Sequence, residues 1–317
     1  MKYSIVVPIY NDGYLAEAFC EESRRVFSGL LNTQSISEQM ELIFVNDGSR
    51  NNSLQQLIDL CSRFDFVRVV DLSRNFGQHQ AIACGFREAK GDIIVRSNVD
   101  MQDPLSELPK LIELIETNDV DLAVGQYAER QSPFIDKLTS GAYFALFRFL
   151  SGIDVPRHTS PLRAMSRRFI NAYNQLTEKS RFPQGLDYWL GFHHALVPIE
   201  HRERADKKSS YTFTKRLKLA LEGALYFSER PIQLMTVFGF ILSTVGVLLG
   251  GWLLITKMLG VSYLPGYVSL AAIGLGAFGV QLSCMGIVGL YVGKIFKESQ
   301  NRPLYIIRET YGGKTGK

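Results

Sequence analysis

Two stretches of this chain carry no charged residue over a length that matches a lipid bilayer. "IQLMTVFGFILSTVGVLLGGWLLI" occupies 232–255 and "VSLAAIGLGAFGVQLSCMGIVGLYV" occupies 268–292. Each exceeds the roughly 20 apolar residues that a helix needs to cross the hydrocarbon core. Gly, Ala and Ser recur in both, which permits close helix approach in lipid. The pattern predicts a two-helix transmembrane hairpin over 232–293. The link 256–267 holds one basic residue, Lys257. Lys215, Arg216, Lys218 and Arg230 precede the first run, and Lys294, Lys297, Arg302 and Arg308 follow the second. The positive-inside rule then puts both flanks in the cytoplasm. Residues 213–231 read as a juxtamembrane amphipathic helix and 294–317 as a basic cytoplasmic tail. The aromatic-rich segment 133–150 fits an interfacial helix and an ordinary core helix equally well.

Residues 1–212 have a different grain, with charges and apolar residues mixed as in a soluble domain. Short β-branched runs at 3–10, 40–47, 67–73, 92–98 and 120–128 alternate with amphipathic helical patterns. Five such alternations predict an α/β domain with a parallel sheet covered on both faces. Ligands of such sheets sit beyond the carboxyl ends of the strands. Polar residues gather at three of those ends: Asn11 and Asp12 after the first run, Asn46 and Asp47 after the second, and Asn98 to Asp103 after the fourth. The first strand-to-helix turn lacks G-x-G-x-x-G, and the chain has no G-x-x-x-x-G-K-[ST], which argues against a dinucleotide enzyme or a P-loop NTPase. A net charge of +4 over 317 residues is too small to call for nucleic acid. Cys20, Cys61, Cys84 and Cys284 show no metal or redox spacing and read as reduced. "MKYSIVVPIYNDG" does not read as a signal peptide, because its apolar run is short and interrupted by proline.

The turn "NVDMQDP" holds the chemistry-bearing residues. Asp100 and Gln102 lie two apart, and in extended geometry their side chains share one side. A carboxylate and an amide oxygen are hard donors suited to Mg²⁺ or Mn²⁺, and such an ion completes its shell with water and substrate phosphate. Asn98 adds an amide oxygen without charge, and Asp103, before Pro104, fits a helix cap. Asp47 alone is better explained by a β-turn, for which Asn-Asp-Gly-Ser is good composition. A diphosphate leaving group requires positive charge, and Arg130, Arg163, Arg204, Lys207 and Lys208 follow the sheet segments, although each taken singly fits a solvated or lipid-headgroup contact as readily. No Ser-His-Asp, Cys-His or metal-spaced histidine pattern is present.

In order and spacing, "SIVVPIYND", "FVNDGSRNNS", "LSRNFGQHQAIACGFREAKGDIIV", "VDMQDP", "RFPQGLDYWLGF" and "SSYTFTKRLKLALEGALYFSERPI" resemble the polyprenyl-phosphate group of family 2 glycosyltransferases. That group includes dolichol-phosphate mannose synthases and bactoprenol glucosyltransferases. The resemblance implies a GT-A nucleotide-sugar-binding fold, Rossmann-like with a mainly parallel sheet. It implies a membrane-bound inverting transferase that moves a sugar from a nucleotide diphosphate sugar, with UDP favoured as carrier, to polyprenyl phosphate. It places Pro8, Tyr10, Asp12, Val45, Asp47, Asn98 and Val99 on the nucleotide and Asp100 and Gln102 on Mg²⁺ or Mn²⁺. Asp100, Arg130, Arg163 and Arg204 would act on the phosphates. It further implies a bacterial inner-membrane, multi-pass protein whose catalytic domain faces the cytoplasm, and the Gly-rich spans permit a homo-oligomer.

Departures from the family pattern are Asn98-Val99-Asp100 for D-x-D, Ser160-Pro161-Leu162-Arg163 for Gly-Asp-Phe-Arg, and Lys207-Lys208-Ser209-Ser210-Tyr211 for Gly-x-Ser-Lys-Tyr. A phosphate acceptor is already anionic and needs no strong base. A glycan or glycolipid hydroxyl would need one, which the sequence does not offer. A nucleotide-sugar-binding scaffold without turnover is the remaining alternative.

Overall fold

The structure is a computed structural model. It describes residues 1–31, 36–117, 120–127, 148–149, 152, 155–179, 183–200, 230–260 and 266–313. The chain forms two compact units: one from Met1–Lys137, Asp154–Ser210 and Arg302–Lys317, the other from Leu138–Ile153 and Tyr211–Asn301.

The first unit is built on one mixed sheet. Its elements in chain order are β1 (Tyr3–Ile9), α1 (Ala16–Leu31), β2 (Met40–Asn46), α2 (Ser53–Arg63), β3 (Val67–Leu72) and α3 (Gln78–Glu88). They continue as β4 (Ile93–Arg96), α4 (Leu108–Glu116), β5 (Leu122–Tyr127), β6 (Thr159–Ser166), α5 (Arg167–Gln175), α6 (Pro183–Trp189) and β7 (His194–Ile199). The second unit holds α7 (Arg230–Met258) and α8 (Tyr267–Ser299), and β8 (Ile307–Gly312) returns to the sheet. The strand order is β7-β5-β6-β4-β1-β2-β3-β8.

All five expected strands are present, and β4, β1, β2 and β3 pair in parallel. The sheet is larger than the sequence suggests and is not all-parallel. β6 runs antiparallel to both β4 and β5, and β8 antiparallel to β3. These strands are hard to see in sequence: "TSPLRAMS" contains a proline and an arginine, and "IRETYG" is charged because one side of it is exposed. Residues 307–312, part of the expected basic tail 294–317, form an edge strand of the sheet.

One face of the sheet buries Ile5, Val7, Ile9, Leu42 and Phe44 against Phe19 and Phe27 of α1 and Leu57 and Leu60 of α2. Alternation sends Val6 and Val45 to the opposite face. There α3 packs so closely that a Cβ on Gly85 would stand 2.2 Å from Val6 Cγ1 and 3.2 Å from Val45 Cγ2.

In the second unit both uncharged stretches are helical. α7 has 29 residues and α8 has 33, and the two touch. Among the described residues one stretch, Gly276–Ser299, is long and apolar enough to cross a membrane, and Ile232–Gly246 is a shorter apolar stretch. Most of the expected amphipathic helix at 213–231, and most of 133–150, lies outside the described residues.

Candidate active site

The parallel strands end together, and this decides where the polar turns meet. Ile9 is in register with Asn46, and Val6 with Arg96. The turns after β1, β2 and β4 therefore emerge side by side. They enclose a cavity of about 500 Å³. Pro8, Tyr10, Asp12, Asp47, Asn98, Val99 and Asp100 line it, so seven expected residues are brought together. Val45 is fully buried within β2, beneath the wall.

Each turn is held by specific bonds. Asn11 adopts a left-handed backbone (φ 64°). Its N–H donates to Ser49 Oγ at 3.0 Å and its Oδ1 accepts from the Arg50 N–H at 2.9 Å. This ties the β1 turn to the β2 turn and leaves Asp12 at the cavity. Asp12 makes no side-chain cap bond to the helical turn that follows, where the Gly13 N–H donates to Ser53 Oγ at 2.9 Å.

Asp47 is 2% exposed. Its Oδ1 accepts from the Phe76 N–H at 2.7 Å and its Oδ2 from the Gly77 N–H at 2.9 Å. Burial pushes its carboxyl above the ordinary carboxylate value, against the pull of those two donors. Asp47 thus anchors the loop that opens α3, and that loop supplies Asn75, Gly77 and Gln78 to the wall. These residues, with Tyr14 and Leu15, are absent from the sequence reading. The rule that found the other turns, polar residues at strand carboxyl ends, also applies after β3, where "SRNFGQ" stands.

The fourth turn differs from its expected form. Met101 is left-handed (φ 48°), so the turn is not extended. Asp100 Oδ1 accepts from the Gln102 N–H at 3.4 Å, and Gln102 lies off the cavity wall. Asn98 Oδ1 accepts from Gln78 Nε2 at 3.3 Å, joining the β4 turn to α3. Asp103 does not cap a helix. It is buried and accepts a 2.6 Å bond from the Tyr127 hydroxyl. Among the described residues no three acidic, histidine or cysteine side chains converge as a metal cluster. One carboxylate, Asp100, with the Asn98 amide on the same wall fits a Mg²⁺ or Mn²⁺ ion that draws its remaining oxygens from substrate.

Arg163 is not at the cavity. It is 2% exposed, lies on β6 and forms an ion pair with buried Asp187 of α6. Burial first, and the Arg96 charge second, push its guanidinium down to about 10. Its strand alternation directs it beneath α5 and α6, because Leu162 and Ala164 occupy the other face. Arg130 and Arg204 lie outside the described residues, as do Lys207 and Lys208.

Residues 4–173 match the family described as Glycosyl transferase family 2. The chain belongs to this family. Bacillus subtilis has an uncharacterized glycosyltransferase, YkcC, that is 32% identical over 98% of this chain and 95% of its own. The SfII prophage-derived bactoprenol glucosyl transferase of Shigella flexneri is 29% identical over 99% of both chains. Among solved structures, the mannosyltransferase PcManGT from Pyrobaculum calidifontis, in complex with GDP-Man and Mn²⁺, matches with a TM-score of 0.46 at 14% identity, over 95% of this chain and 88% of that one. The protein is a family 2 glycosyltransferase, and its mixed, mostly parallel sheet agrees with the GT-A expectation.

Proposed function

We propose that this glycosyltransferase moves a sugar from a nucleotide diphosphate sugar, with UDP as the favoured carrier, to polyprenyl phosphate at a bacterial inner membrane. The acceptor reading rests on the likeness to bactoprenol glucosyl transferases, which runs through the helical segment as well as the sheet. The donor reading rests on the cavity, where the turns after β1, β2 and β4 converge with Asp12, Asp47 and Asp100 at the wall. Tyr10 and Tyr14 are 40% and 66% exposed there and offer apolar faces to a base. Asp47 holds the α3 loop in place, and Asp100 stands where the diphosphate would lie.

Asp100, with Asn98 and Gln102 nearby, would hold Mg²⁺ or Mn²⁺. That ion would supply charge neutralisation to the departing diphosphate. The acceptor phosphate oxygen attacks the anomeric carbon as the bond to the diphosphate breaks, with inversion. Arg130 and Arg204 are the proposed cationic partners of the phosphates.

Membrane anchoring by α7 and α8 is supported by their apolar exposure: Phe240, Leu248, Ile273 and Met285 all face outward. Surface of this kind fits lipid better than water. We retain the two-span, multi-pass topology and the division into a 1–212 catalytic domain, a 213–231 helix and a 232–293 hairpin as part of this proposal.

The full chain in detergent, given labelled UDP-sugars, Mn²⁺ and a short-chain polyprenyl phosphate, should yield lipid-linked sugar and free UDP. Asp100→Ala should lower the rate at least about a hundredfold, in line with removal of a main electrostatic element. Wild-type turnover by that variant would remove the metal role. Transfer to hydroxyl acceptors in preference to the lipid phosphate would overturn the acceptor.

A further inference from the structure

Behind the cavity lies a positive charge that no described side chain neutralises. Arg96 ends β4, two residues before Asn98. Ile93 and Val95 belong to the core on one face of the sheet, so Arg96 points to the other. Its register partner on β6 is Arg163, which points the same way. Two guanidinium groups therefore share one buried region, 8% and 2% exposed. Arg163 has Asp187 as its counter-ion. Among the described residues no carboxylate pairs with Arg96, and its Nε is sealed from solvent without an acceptor.

Tyr173 of α5 acts on Arg96, and the Arg96 charge in turn acts on His79 of α3. Desolvation first and the Arg96 charge second push the His79 imidazole down to about 4, so it is neutral near pH 7 and adds no third cation. Arg96, Arg163 and Asp187 sum to one net positive charge. A buried cation without a partner is costly, and such a group persists where something else supplies the anion.

The position of Arg96 says what could reach it. Past the end of β4 at Arg96 the chain continues through Ser97 to Asn98, which lines the cavity. α3 sets Gln78 on the same wall, hydrogen-bonded to Asn98, and the next residue is His79. The cationic region and the cavity thus share the β4 end and the first turn of α3.

We propose that Arg96, backed by Arg163, is an anion-receiving subsite beside the nucleotide-sugar cavity, and that it takes a compact oxyanion, carboxylate or phosphate, carried by a substrate. The identity of that substrate rests on the transferase reading above. Two groups have the required chemistry: an acidic substituent on the donor sugar and the phosphate of the acceptor.

Thermal unfolding and binding titrations of the full chain in detergent test this with wild type, Arg96→Gln and Arg96→Lys. The probes are inorganic phosphate, UDP, UDP-glucose, UDP-glucuronate and farnesyl phosphate. Without anion, Arg96→Gln should melt higher than wild type, because a buried charge that has no partner among the described residues has been removed. Its affinity for the preferred anion should fall about tenfold or more, the worth of a charge-assisted hydrogen bond, while UDP binds as before. Arg96→Lys should keep part of the preference.

A wild-type preference for UDP-glucuronate over UDP-glucose, lost in Arg96→Gln, assigns the subsite to the donor sugar. An Arg96-dependent affinity for farnesyl phosphate assigns it to the acceptor. If Arg96→Gln melts lower than wild type, or binds every probe as wild type does, the subsite is overturned. Failure of wild type to bind UDP would instead sink the donor reading, and the inorganic phosphate titration would still decide this one.

Discussion

Single residues here serve structure and chemistry at once. Asp47 is the clearest case, since both of its oxygens accept backbone N–H groups of the α3 loop. Asp47→Ala would leave those donors unpaired in a largely buried site. The expected cost is about 1–3 kcal/mol in denaturant unfolding, with weaker nucleotide binding in a parallel titration. Its neighbour Gly48 sits at φ 62°, and a Cβ there would stand 2.4 Å from the Arg74 carbonyl carbon. Gly48→Ala should therefore be destabilising, measured by the same unfolding curve, where a neutral result would contradict the geometry. At this scale the sequence was a good guide to position and a poor one to contact. The acidic and amide residues at strand ends could be placed without coordinates, because turn chemistry and strand ends are local. The burial of Arg163 could not, because it depends on β6 joining a sheet from more than sixty residues away in the chain.

Elements position the site through close packing. α3 lies flat on β1 and β2 because Gly85 leaves room for Val6 and Val45. Gly85→Ala should lift the helix and cost about 1–3 kcal/mol by overpacking. The start of the helix forms part of the cavity wall, so nucleotide affinity should fall with it; an unchanged melting temperature would refute the packing argument. α4 is fastened differently. Glu116 accepts bonds from Tyr3 Oη at 2.5 Å and lies 2.7 Å from Lys2 Nζ. The Lys2 contact, and then that of Tyr3, hold its carboxyl below the ordinary value of 4.5. A depressed folded-state value means that the contribution is present above the unfolded value and is lost as pH falls through the folded one. Wild type should thus exceed Glu116→Gln by up to about 1 kcal/mol near neutral pH, and the difference should vanish as the pH is taken below 4.5. The apolar strands and amphipathic helices of this region were legible from periodicity alone. β6 and β8 were not, since one carries a buried arginine and the other presents charged side chains to solvent.

At the scale of the whole molecule, the chain leaves the sheet after β7, forms the two long apolar helices and then returns. β8 pairs with β3, and Arg308 donates to the Ser73 carbonyl at 2.6 Å and lies 3.3 Å from Asp71 Oδ2. Asp71 is 1% exposed and also accepts from Asn46 Nδ2 at 2.7 Å, one residue from Asp47. Arg308→Met would leave the Asp71 carboxylate buried without its cation, and the expected loss is about 1–3 kcal/mol in thermal unfolding. The two uncharged runs were the most visible feature of the sequence, yet they concealed this return, because the basic residues after them also satisfy a simple topological rule. The arrangement has a consequence for biosynthesis. The strand that covers the edge of β3 comes from residues 307–312 of 317, so a ribosome finishes it only after the apolar helices have been made. A chain released early would keep the turns that line the cavity but expose a bare strand edge, open to pairing with another copy. Completion of the sheet is thereby delayed until translation of the two long helices is over.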